Sequence, residues 1–201
     1  MSARVVIVDA GAWGTALAAH LAARAHAAPE VTLCFRDRAQ ARQCESAREN
    51  RRYLPGVALP ANLAIAAGID AARTADMILV ATPVAALPGA VAALAAGGAR
   101  APLLWLCKGF VETPGVRGGA QLAHEVVAPL WSSPVGVISG PTFADEVARA
   151  LPTALSVAAT SHGVAQAAAQ LLRADTLRAS ESRSAARRVG NECRSRWSPY
   201  H

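Results

Sequence analysis

The sequence does not have the composition of a disordered protein, and it contains almost no lysine. Charged residues make up only 17% of its 201 residues, and hydrophobic residues make up 53%. Because that much apolar surface can offset the conformational entropy lost on folding, the composition excludes an intrinsically disordered chain. Lysine occurs once, at Lys108, against 19 arginines. The single lysine therefore stands out as a candidate functional residue.

Cysteine and histidine are also scarce, and neither is spaced for metal binding. The four cysteines form no C-x-x-C motif, and the five histidines form no H-x-x-x-H or H-E-x-x-H motif. An unpatterned set of cysteines in a chain of this size indicates a reduced, cytoplasmic protein. No metal site is predicted.

Uninterrupted hydrophobic runs and aromatic residues are few as well. The two uncharged stretches long enough to cross a bilayer, 77–99 and 150–172, are rich in alanine and broken by proline and glycine, so no membrane span is predicted. Most of the net charge of +6 comes from arginines after residue 172, and aromatic residues make up only 4%. This pattern does not favour nucleic-acid binding.

Short apolar runs alternate with helical segments about every 25 residues along most of the chain. The runs are continuous rather than alternating, as in strands buried on both faces. This predicts an α/β fold with a doubly wound, mostly parallel Rossmann-type sheet whose first strand is central. Ligands of such sheets bind at the carboxyl ends of the strands. The turns to examine are 9–14, 35–38, 82–83, 108–110 and 139–143.

The turn after the first strand resembles the dinucleotide fingerprint G-x-G-x-x-G. Gly11 and Gly14 match the second and third glycines, but Asp9 stands where the first is expected. In this motif the second glycine lets the backbone approach the pyrophosphate, and the third packs the helix on the strand. An ordinary strand–turn–helix is the alternative. The position of the motif, between the first strand and the first long helix, favours a nucleotide site.

The second strand ends at Arg36, where NAD-binding proteins usually place an acid against the ribose. An arginine suits a 2′-phosphate and hence NADP, although Arg36 and Arg38 could equally be solvated residues at the start of a helix. Asp37 more readily serves as the N-cap of that helix.

Two later turns also carry chemistry. Lys108 directly follows a strand, where a compact positive charge suits a binding site, with a plain surface lysine as the alternative. Gly140 and Thr142 follow another strand and offer a close backbone approach and a hydroxyl group. The alternative for Thr142 is an N-cap, because Glu146 lies near the capping-box spacing.

Five motifs stand in the chain in this order: GAWGTALA (11–18), NRRYLPG (50–56), CKG (107–109), SGPTFADEVA (139–148) and LPTALSVA (151–158). Together they resemble bacterial NAD(P)-dependent glycerol-3-phosphate dehydrogenase over about residues 4–175. The resemblance implies reversible hydride transfer between NAD(P)H and dihydroxyacetone phosphate, which gives sn-glycerol 3-phosphate for glycerophospholipid synthesis. It implies NADP or NAD as the cofactor, a small-molecule substrate, and a second copy of the chain as a candidate partner.

The resemblance also assigns roles to individual residues. Lys108 is implied as a catalytic residue that touches both cofactor and substrate, and Gly140 and Thr142 as contacts of the substrate. The remaining implied contacts of the cofactor are Gly11, Ala12, Trp13, Gly14, Arg36, Tyr53 and Ala144.

Two departures from the family pattern matter. Asp9 adds a Cβ and a carboxylate to the phosphate turn. In addition, the resemblance stops after about Leu177, and nothing in the chain matches the helical second domain that supplies the general-acid lysine and the phosphate-binding groups. We therefore expect a dinucleotide-binding domain over residues 1–178, followed at 179–201 by a disordered basic tail foreign to the family.

The truncated resemblance leaves the activity of the chain in question and keeps other functions open. We expect the 201-residue chain to be inactive as a dehydrogenase. One alternative is a stand-alone nucleotide-binding or interaction module without catalysis. A second is a nucleic-acid-binding protein that uses the basic tail, and a third is another Rossmann oxidoreductase such as a hydroxyacid dehydrogenase.

Overall fold

The structure is a computed structural model that describes residues 2–24, 28–113, 115 and 119–182. Its strands are β1 (Arg4–Val8), β2 (Glu30–Phe35), β3 (Ala64–Ala67), β4 (Met77–Val80), β5 (Leu103–Trp105), β6 (Phe110–Glu112), β7 (Ala120–Leu122), β8 (Val135–Ser139), β9 (Thr153–Ala159) and β10 (Leu177–Glu181). Its α-helices are α1 (Ala12–Ala22), α2 (Arg38–Ala47), α3 (Leu87–Ala96), α4 (Ala123–Val127), α5 (Ala144–Ala148) and α6 (His162–Leu172). Short 3-10 helices cover Asp70–Thr74, Val84–Ala86 and Ala128–Leu130.

Within the described residues, one eight-stranded sheet organises the molecule, in the order β10-β9-β8-β5-β4-β1-β2-β3. Strand β1 lies between β2 and β4 and is parallel to both, as the sequence predicted. The pairs β2–β3, β4–β5, β5–β8 and β9–β10 are parallel as well, whereas β8 and β9 are antiparallel. Strands β6 and β7 form a separate antiparallel ribbon. The mostly parallel, Rossmann-type sheet is therefore confirmed.

Two hydrophobic layers cover the two faces of the sheet. Side chains of β1 alternate between them, because successive residues of a strand point to opposite faces. Val5 and Ile7 pack in the layer that contains buried residues of α1 and α6. Val6 and Val8 pack in the layer that contains residues of α3 and α4. Burial on both faces explains why the strand sequences are continuously apolar.

Helix α1 is apolar on nearly all of its circumference, because it is enclosed by the sheet and by α5. Its buried residues run without interruption from Gly14 to Ala19 and continue with Leu21 and Ala22. Helices α1 and α5 pack on each other, and the small alanine side chains of α1 permit a close approach. The packing fixes α5, and the turn before it, relative to the first turn of the sheet.

The sheet continues beyond the boundary predicted at residue 179. That boundary falls inside β10, where Ala179 pairs with Leu155 of β9 and is buried. A short strand at the sheet edge, with apolar residues only at Leu177 and Ala179, gives little periodic signal in the sequence. The rest of the predicted basic tail, 183–201, lies outside the described residues, and its disorder stays a prediction.

Candidate functional site

The turns singled out in the sequence lie along one edge of the sheet. Strands β1, β2, β4, β5 and β8 are parallel, so their carboxyl ends meet at the same edge. Asp9 follows β1, Arg36 follows β2, Lys108 follows β5 and Gly140 follows β8. This edge is the candidate functional site.

Gly11 leaves open space in front of helix α1. It is the N-cap of the helix, with extended backbone, and its carbonyl accepts the first helical hydrogen bond from the N–H of Thr15 at 3.0 Å. A Cβ added at Gly11 would meet no atom within 4 Å. The first N–H groups of a helix have no partner inside the helix and carry its partial positive charge. An anionic group such as a pyrophosphate can therefore approach the helix at Ala12 and Trp13.

Gly14, in contrast, has no space for a side chain. An added Cβ would lie 2.2 Å from the carbonyl oxygen of Asp9 and 3.1 Å from the Cβ of Ala81. Only glycine lets α1 pack this closely on the end of β1. The structure thus shows the packing expected of the third fingerprint glycine.

Asp9 occupies the first glycine position in the left-handed backbone region, with φ +79°. Glycine adopts this region at no steric cost, and aspartate is one of the few other residues that tolerate it. The N–H of Asp9 donates to the carbonyl of Cys34 in β2 at 3.1 Å, which ties the turn to the neighbouring strand. The turn therefore keeps the backbone shape of the fingerprint although the glycine is absent.

The carboxylate of Asp9 forms an ion pair with Arg36. Oδ1 of Asp9 lies 3.3 Å from Nε of Arg36, and the Asp9 side chain is only 13% exposed, whereas that of Arg36 is 74% exposed. The carboxylate is thus aimed at the end of β2. The sequence indicated Arg36 as a site residue and Asp9 as a departure from the fingerprint, but gave no signal that they pair.

Asp37 is the N-cap of α2, as predicted. Its Oδ1 accepts from the N–H of Ala39 at 2.7 Å and of Gln40 at 3.3 Å. Arg38 is the first residue of the helix and is exposed. The acid nearest to the end of β2 in sequence is therefore already engaged in capping.

Asn50 holds the first turn from the loop that follows α2. Its Nδ2 donates to the carbonyl of Ala10 at 2.8 Å and to Oγ1 of Thr15 at 2.7 Å, and the residue is 4% exposed. Sequence reasoning singled out Tyr53 in this loop and missed Asn50. Tyr53 is exposed, and the guanidinium of Arg52 lies 5.2 Å from its ring centroid.

The same loop is closed by Glu49. Its carboxylate accepts from the N–H of Gly56 at 2.9 Å and pairs with Arg51 at 3.0 Å. The Gly56 hydrogen bond and the Arg51 guanidinium hold the pKa of Glu49 below its usual range. The predicted loop, residues 50–60, is therefore folded back at its start by Glu49 and Gly56, next to the first turn that Asn50 contacts.

Lys108 and Gly140 are brought together by the structure. The exposed ammonium of Lys108 donates to the carbonyl of Gly140 at 2.5 Å, across 32 residues of sequence. A Cβ added at Gly140 would lie 2.5 Å from the carbonyl of Ala154 in β9. The glycine thus permits a close approach of two backbones at the site. Burial raises the pKa of the adjacent Cys107 to about 11, so this thiol is neutral beside the lysine.

Thr142 is not an N-cap, so that alternative is wrong. Helix α5 begins one residue later, with Phe143 as the N-cap, and the N–H of Phe143 donates to the carboxylate of Glu146 at 3.1 Å. The Oγ1 atom of Thr142 is buried and has no hydrogen-bond partner among the described residues. Ala144 is the first residue of α5 and packs partly against the core, whereas Phe143 is 71% exposed.

Neither a membrane span nor a metal cluster is found in the part of the chain that the structure describes. None of its helices has the length and hydropathy to cross a bilayer. No group of three or more histidine, cysteine, aspartate or glutamate residues there could hold a metal ion.

Comparison with known proteins agrees with this geometry. Residues 4–165 match the family model described as NAD-dependent glycerol-3-phosphate dehydrogenase N-terminus. A glycerol-3-phosphate dehydrogenase, NAD(P)+, from Acidovorax sp. strain JS42 is 46% identical over 181 residues, which cover 87% of this chain and 52% of that protein. One from Methylibium petroleiphilum is 46% identical over 183 residues, with 87% and 51% covered. The chain spans about half the length of the curated relatives it matches.

Solved structures are similar over nearly the whole described chain. The crystal structure of a glycerol-3-phosphate dehydrogenase from Coxiella burnetii matches with a TM-score of 0.79 and 30% identity, covering 90% of this chain and 54% of that one. A glycerol-3-phosphate dehydrogenase from Plasmodium falciparum has the same fold, with a TM-score of 0.80 and 18% identity, over 90% and 52% of the two chains.

Proposed function

Because this chain belongs to the NAD-dependent glycerol-3-phosphate dehydrogenase family, we propose that it binds NAD or NADP at the carboxyl edge of its sheet. The single observation that carries the proposal is the pair of glycines at the first turn. Gly11 leaves open space before α1, and Gly14 lets the helix pack on the carbonyl of Asp9. This is the arrangement that a dinucleotide pyrophosphate requires.

The bound cofactor would supply the hydride chemistry, and the residues of this chain would bind and orient it. The helix N-terminus at Gly11, Ala12 and Trp13 would hold the pyrophosphate, with Gly14 fixing the position of the helix. Arg36 would bind at the adenosine end, and Ala144 and Tyr53 would contact the cofactor from α5 and from the loop after α2.

The substrate side of the site is built around Lys108. We propose dihydroxyacetone phosphate or sn-glycerol 3-phosphate as the substrate, in contact with Lys108, Gly140 and Thr142. The Lys108 ammonium would polarise the substrate oxygen and stabilise the negative charge that develops on it during hydride transfer. Its hydrogen bond to the carbonyl of Gly140 holds it at the edge of the sheet. The buried hydroxyl of Thr142 has its hydrogen-bonding capacity unused among the described residues.

Proton supply limits what the 201-residue chain can do by itself. In the family that the chain resembles, a second lysine acts as the general acid, and Lys108 is the only lysine of this sequence. General acid catalysis is typically worth about 10²–10⁴ in rate. We therefore propose that this chain binds the cofactor but reduces dihydroxyacetone phosphate far more slowly than ordinary enzymes turn over. A cofactor-binding module without catalysis is the second candidate function that this observation favours.

A direct test measures binding of NADH and NADPH by calorimetry and turnover by cofactor oxidation with excess dihydroxyacetone phosphate. Gly11→Ala should weaken cofactor binding about tenfold or more, because the added Cβ stands where the pyrophosphate approaches. Gly89→Ala is the matched control, since a Cβ there also meets nothing within 4 Å. Undiminished binding by Gly11→Ala would contradict the proposed site. Reduction of dihydroxyacetone phosphate at about one turnover per second would contradict the proposed lack of a proton donor.

The proposal also has a cellular side. A reduced, cytoplasmic protein of this kind would supply a precursor of glycerophospholipids when part of an active dehydrogenase, and its partner would be a second copy of itself. Sedimentation of the purified chain tests the homodimer, and a monomer at all concentrations would contradict it.

A further inference from the structure

The Asp9–Arg36 ion pair lies at the place where nucleotide-binding sheets distinguish NAD from NADP. In such sheets a residue at the end of the second strand faces the adenosine ribose. An acid there accepts from the ribose 2′-hydroxyl of NAD, whereas an arginine accommodates the 2′-phosphate of NADP. Here the end of β2 carries Arg36, and the carboxylate of Asp37 is engaged in capping α2.

Asp9 delivers a carboxylate to the same place from the neighbouring strand. In the parallel pair β1–β2, Val8 is level with Cys34, so Asp9 and Arg36 both stand just beyond the ends of their strands. The N–H of Asp9 donates to the carbonyl of Cys34, and its Oδ1 reaches Nε of Arg36 at 3.3 Å. The Asp9 side chain is only 13% exposed, so burial, more than the pairing with the exposed Arg36, restricts where its carboxylate can lie.

We propose that Asp9 and Arg36 together form an adenosine-ribose subsite that selects NAD over NADP. The inference rests on the proposed function and concerns the same site. The Asp9 carboxylate accepts from the ribose 2′-hydroxyl and takes over the role of the acid that β2 lacks. It also cancels the charge of Arg36 and repels a 2′-phosphate. This reverses the preference that Arg36 alone would give.

The charges of Asp9 and Arg36 act in opposite directions on a 2′-phosphate, so removing one of them should change NADPH binding measurably. An arginine beside a 2′-phosphate is an attractive pair, but here a carboxylate 3.3 Å from the arginine offsets its charge and itself repels the phosphate. Near a protein surface, two unit charges at about 4 Å interact by several times the thermal energy, and salt screens part of this. Removing the Asp9 charge should therefore improve NADPH binding by about tenfold or more at low salt.

The test substitutes Asp9→Asn and measures dissociation constants of NADH and NADPH by calorimetry. Asparagine has the same size, tolerates the left-handed backbone and keeps an oxygen for Arg36. NADPH should bind about tenfold or more tightly, while NADH binding stays unchanged or weakens a few-fold. The gain for NADPH should shrink at high salt and in the double variant Asp9→Asn with Arg36→Ala.

Asp76→Asn is the matched control. Asp76 also pairs with an arginine, Arg4, at 3.2 Å, but at the opposite end of β1. The Asp76→Asn substitution removes one carboxylate charge, as Asp9→Asn does, but it should leave the ratio of NADPH to NADH affinity unchanged.

The outcomes separate this inference from the proposed function. If both cofactors bind the parent chain and Asp9→Asn alters their affinities equally, the ribose subsite is refuted and the nucleotide site stands. A parent chain that prefers NADPH refutes the subsite as well. If neither cofactor binds the parent chain or the variant, the proposed function itself fails.

Discussion

The first turn, residues 9–15, and the second turn, residues 139–144, have one feature in common. Each follows a parallel strand and leads to a helix, and each has a glycine pressed against a backbone carbonyl. An added Cβ would lie 2.2 Å from the carbonyl of Asp9 at Gly14, and 2.5 Å from that of Ala154 at Gly140. Both turns are thus fixed by close backbone contacts.

They differ in how their other groups are used. At the first turn Asp9 is paired with Arg36, Asn50 binds Ala10 and Thr15, and an 11-residue buried helix follows. At the second turn a five-residue helix follows, the hydroxyl of Thr142 has no partner among the described residues, and Phe143 is largely exposed. At the first turn the side chains are thus engaged within the described residues and the open space lies at Gly11, whereas at the second turn a hydroxyl and an aromatic side chain have few contacts there.

The largest effect is expected at Gly14. Gly14→Ala should lower the free energy of unfolding by about 3 kcal/mol, the upper end of overpacking costs, because its Cβ collides with backbone. Gly11→Ala is the control and should cost less than about 1 kcal/mol, since the space there is open and only the helix cap is altered. Chemical denaturation of both variants measures the difference. Equal losses would mean that the close packing at Gly14 does not stabilise the turn.

The rate at which Cys34 and Cys107 are alkylated should report how well each of the two turns excludes solvent from its neighbouring thiol. Burial raises the pKa of Cys34, beneath the first turn, to about 12 and that of Cys107, beside the second, to about 11. At pH 8 the smaller thiolate fraction should slow Cys107 about a hundredfold and Cys34 about a thousandfold relative to the denatured chain. Cys107 should be the faster of the two also because it is partly exposed. Mass spectrometry of a time course of alkylation gives both rates.

The same pKa shifts predict a loss of stability at alkaline pH. Thiols of the unfolded chain ionise near pH 9, but those of the folded chain stay protonated until about pH 11–12. Between these values the unfolded state binds fewer protons, so the free energy of unfolding falls as the pH rises. A chain with both Cys34→Ala and Cys107→Ala should show a shallower decline between pH 8 and 10.

A substitution at Asn50 should lower the free energy of unfolding somewhat less than Gly14→Ala. Asn50→Ala leaves the carbonyl of Ala10 and the hydroxyl of Thr15 short of a buried donor, and should cost about 2 kcal/mol. Asn62→Ala is the control, because Asn62 is exposed and makes one hydrogen bond, to the carbonyl of Ala22 at 2.9 Å. It should cost less than about 1 kcal/mol in the same denaturation experiment. Comparable costs would show that the loop does not support the first turn.

The smallest effect is expected at Phe143. Phe143→Ala should change the free energy of unfolding by no more than about 0.5 kcal/mol, because the side chain is 71% exposed and alanine is no better an N-cap than phenylalanine. Val147→Ala, on the buried side of the same helix at 2% exposure, should cost about 1–2 kcal/mol. A large loss at Phe143 would contradict the idea that the second turn has an unused apolar group.

The sequence could predict those features that depend on residues close to one another along the chain. Continuous apolar strands and the spacing of Gly11 and Gly14 predicted the sheet and the first turn, because both follow from neighbouring residues. Asp37 was correctly predicted as a cap for the same reason. The interactions of Asn50 and the pairing of Asp9 with Arg36 join residues 27 or more positions apart, so no local pattern announces them.

Two further features have physical causes of the same kind: Thr142, for which the sequence left an N-cap role open, and strand β10, which crosses the boundary predicted at residue 179. Thr142 looked like an N-cap because Glu146 is four residues later, but the helix starts one residue further on and Glu146 reaches the N–H of Phe143 instead. Strand β10 has only two apolar side chains and depends on pairing with β9. Both features are decided by tertiary contacts, which a weak local preference does not override.

The antiparallel pairing of β9 gives a step to the edge of the sheet that carries the candidate site. Ser139, the last residue of β8, is level with Ser156, so three residues at the start of β9 project beyond it, and β10 is paired with them. At the usual rise per residue this shoulder stands about 10 Å above the end of β8. Gly140, which follows β8, therefore has the first residues of β9 beside it and rising past the end of β8. The step makes the two sides of the candidate site unequal, as a level edge would not.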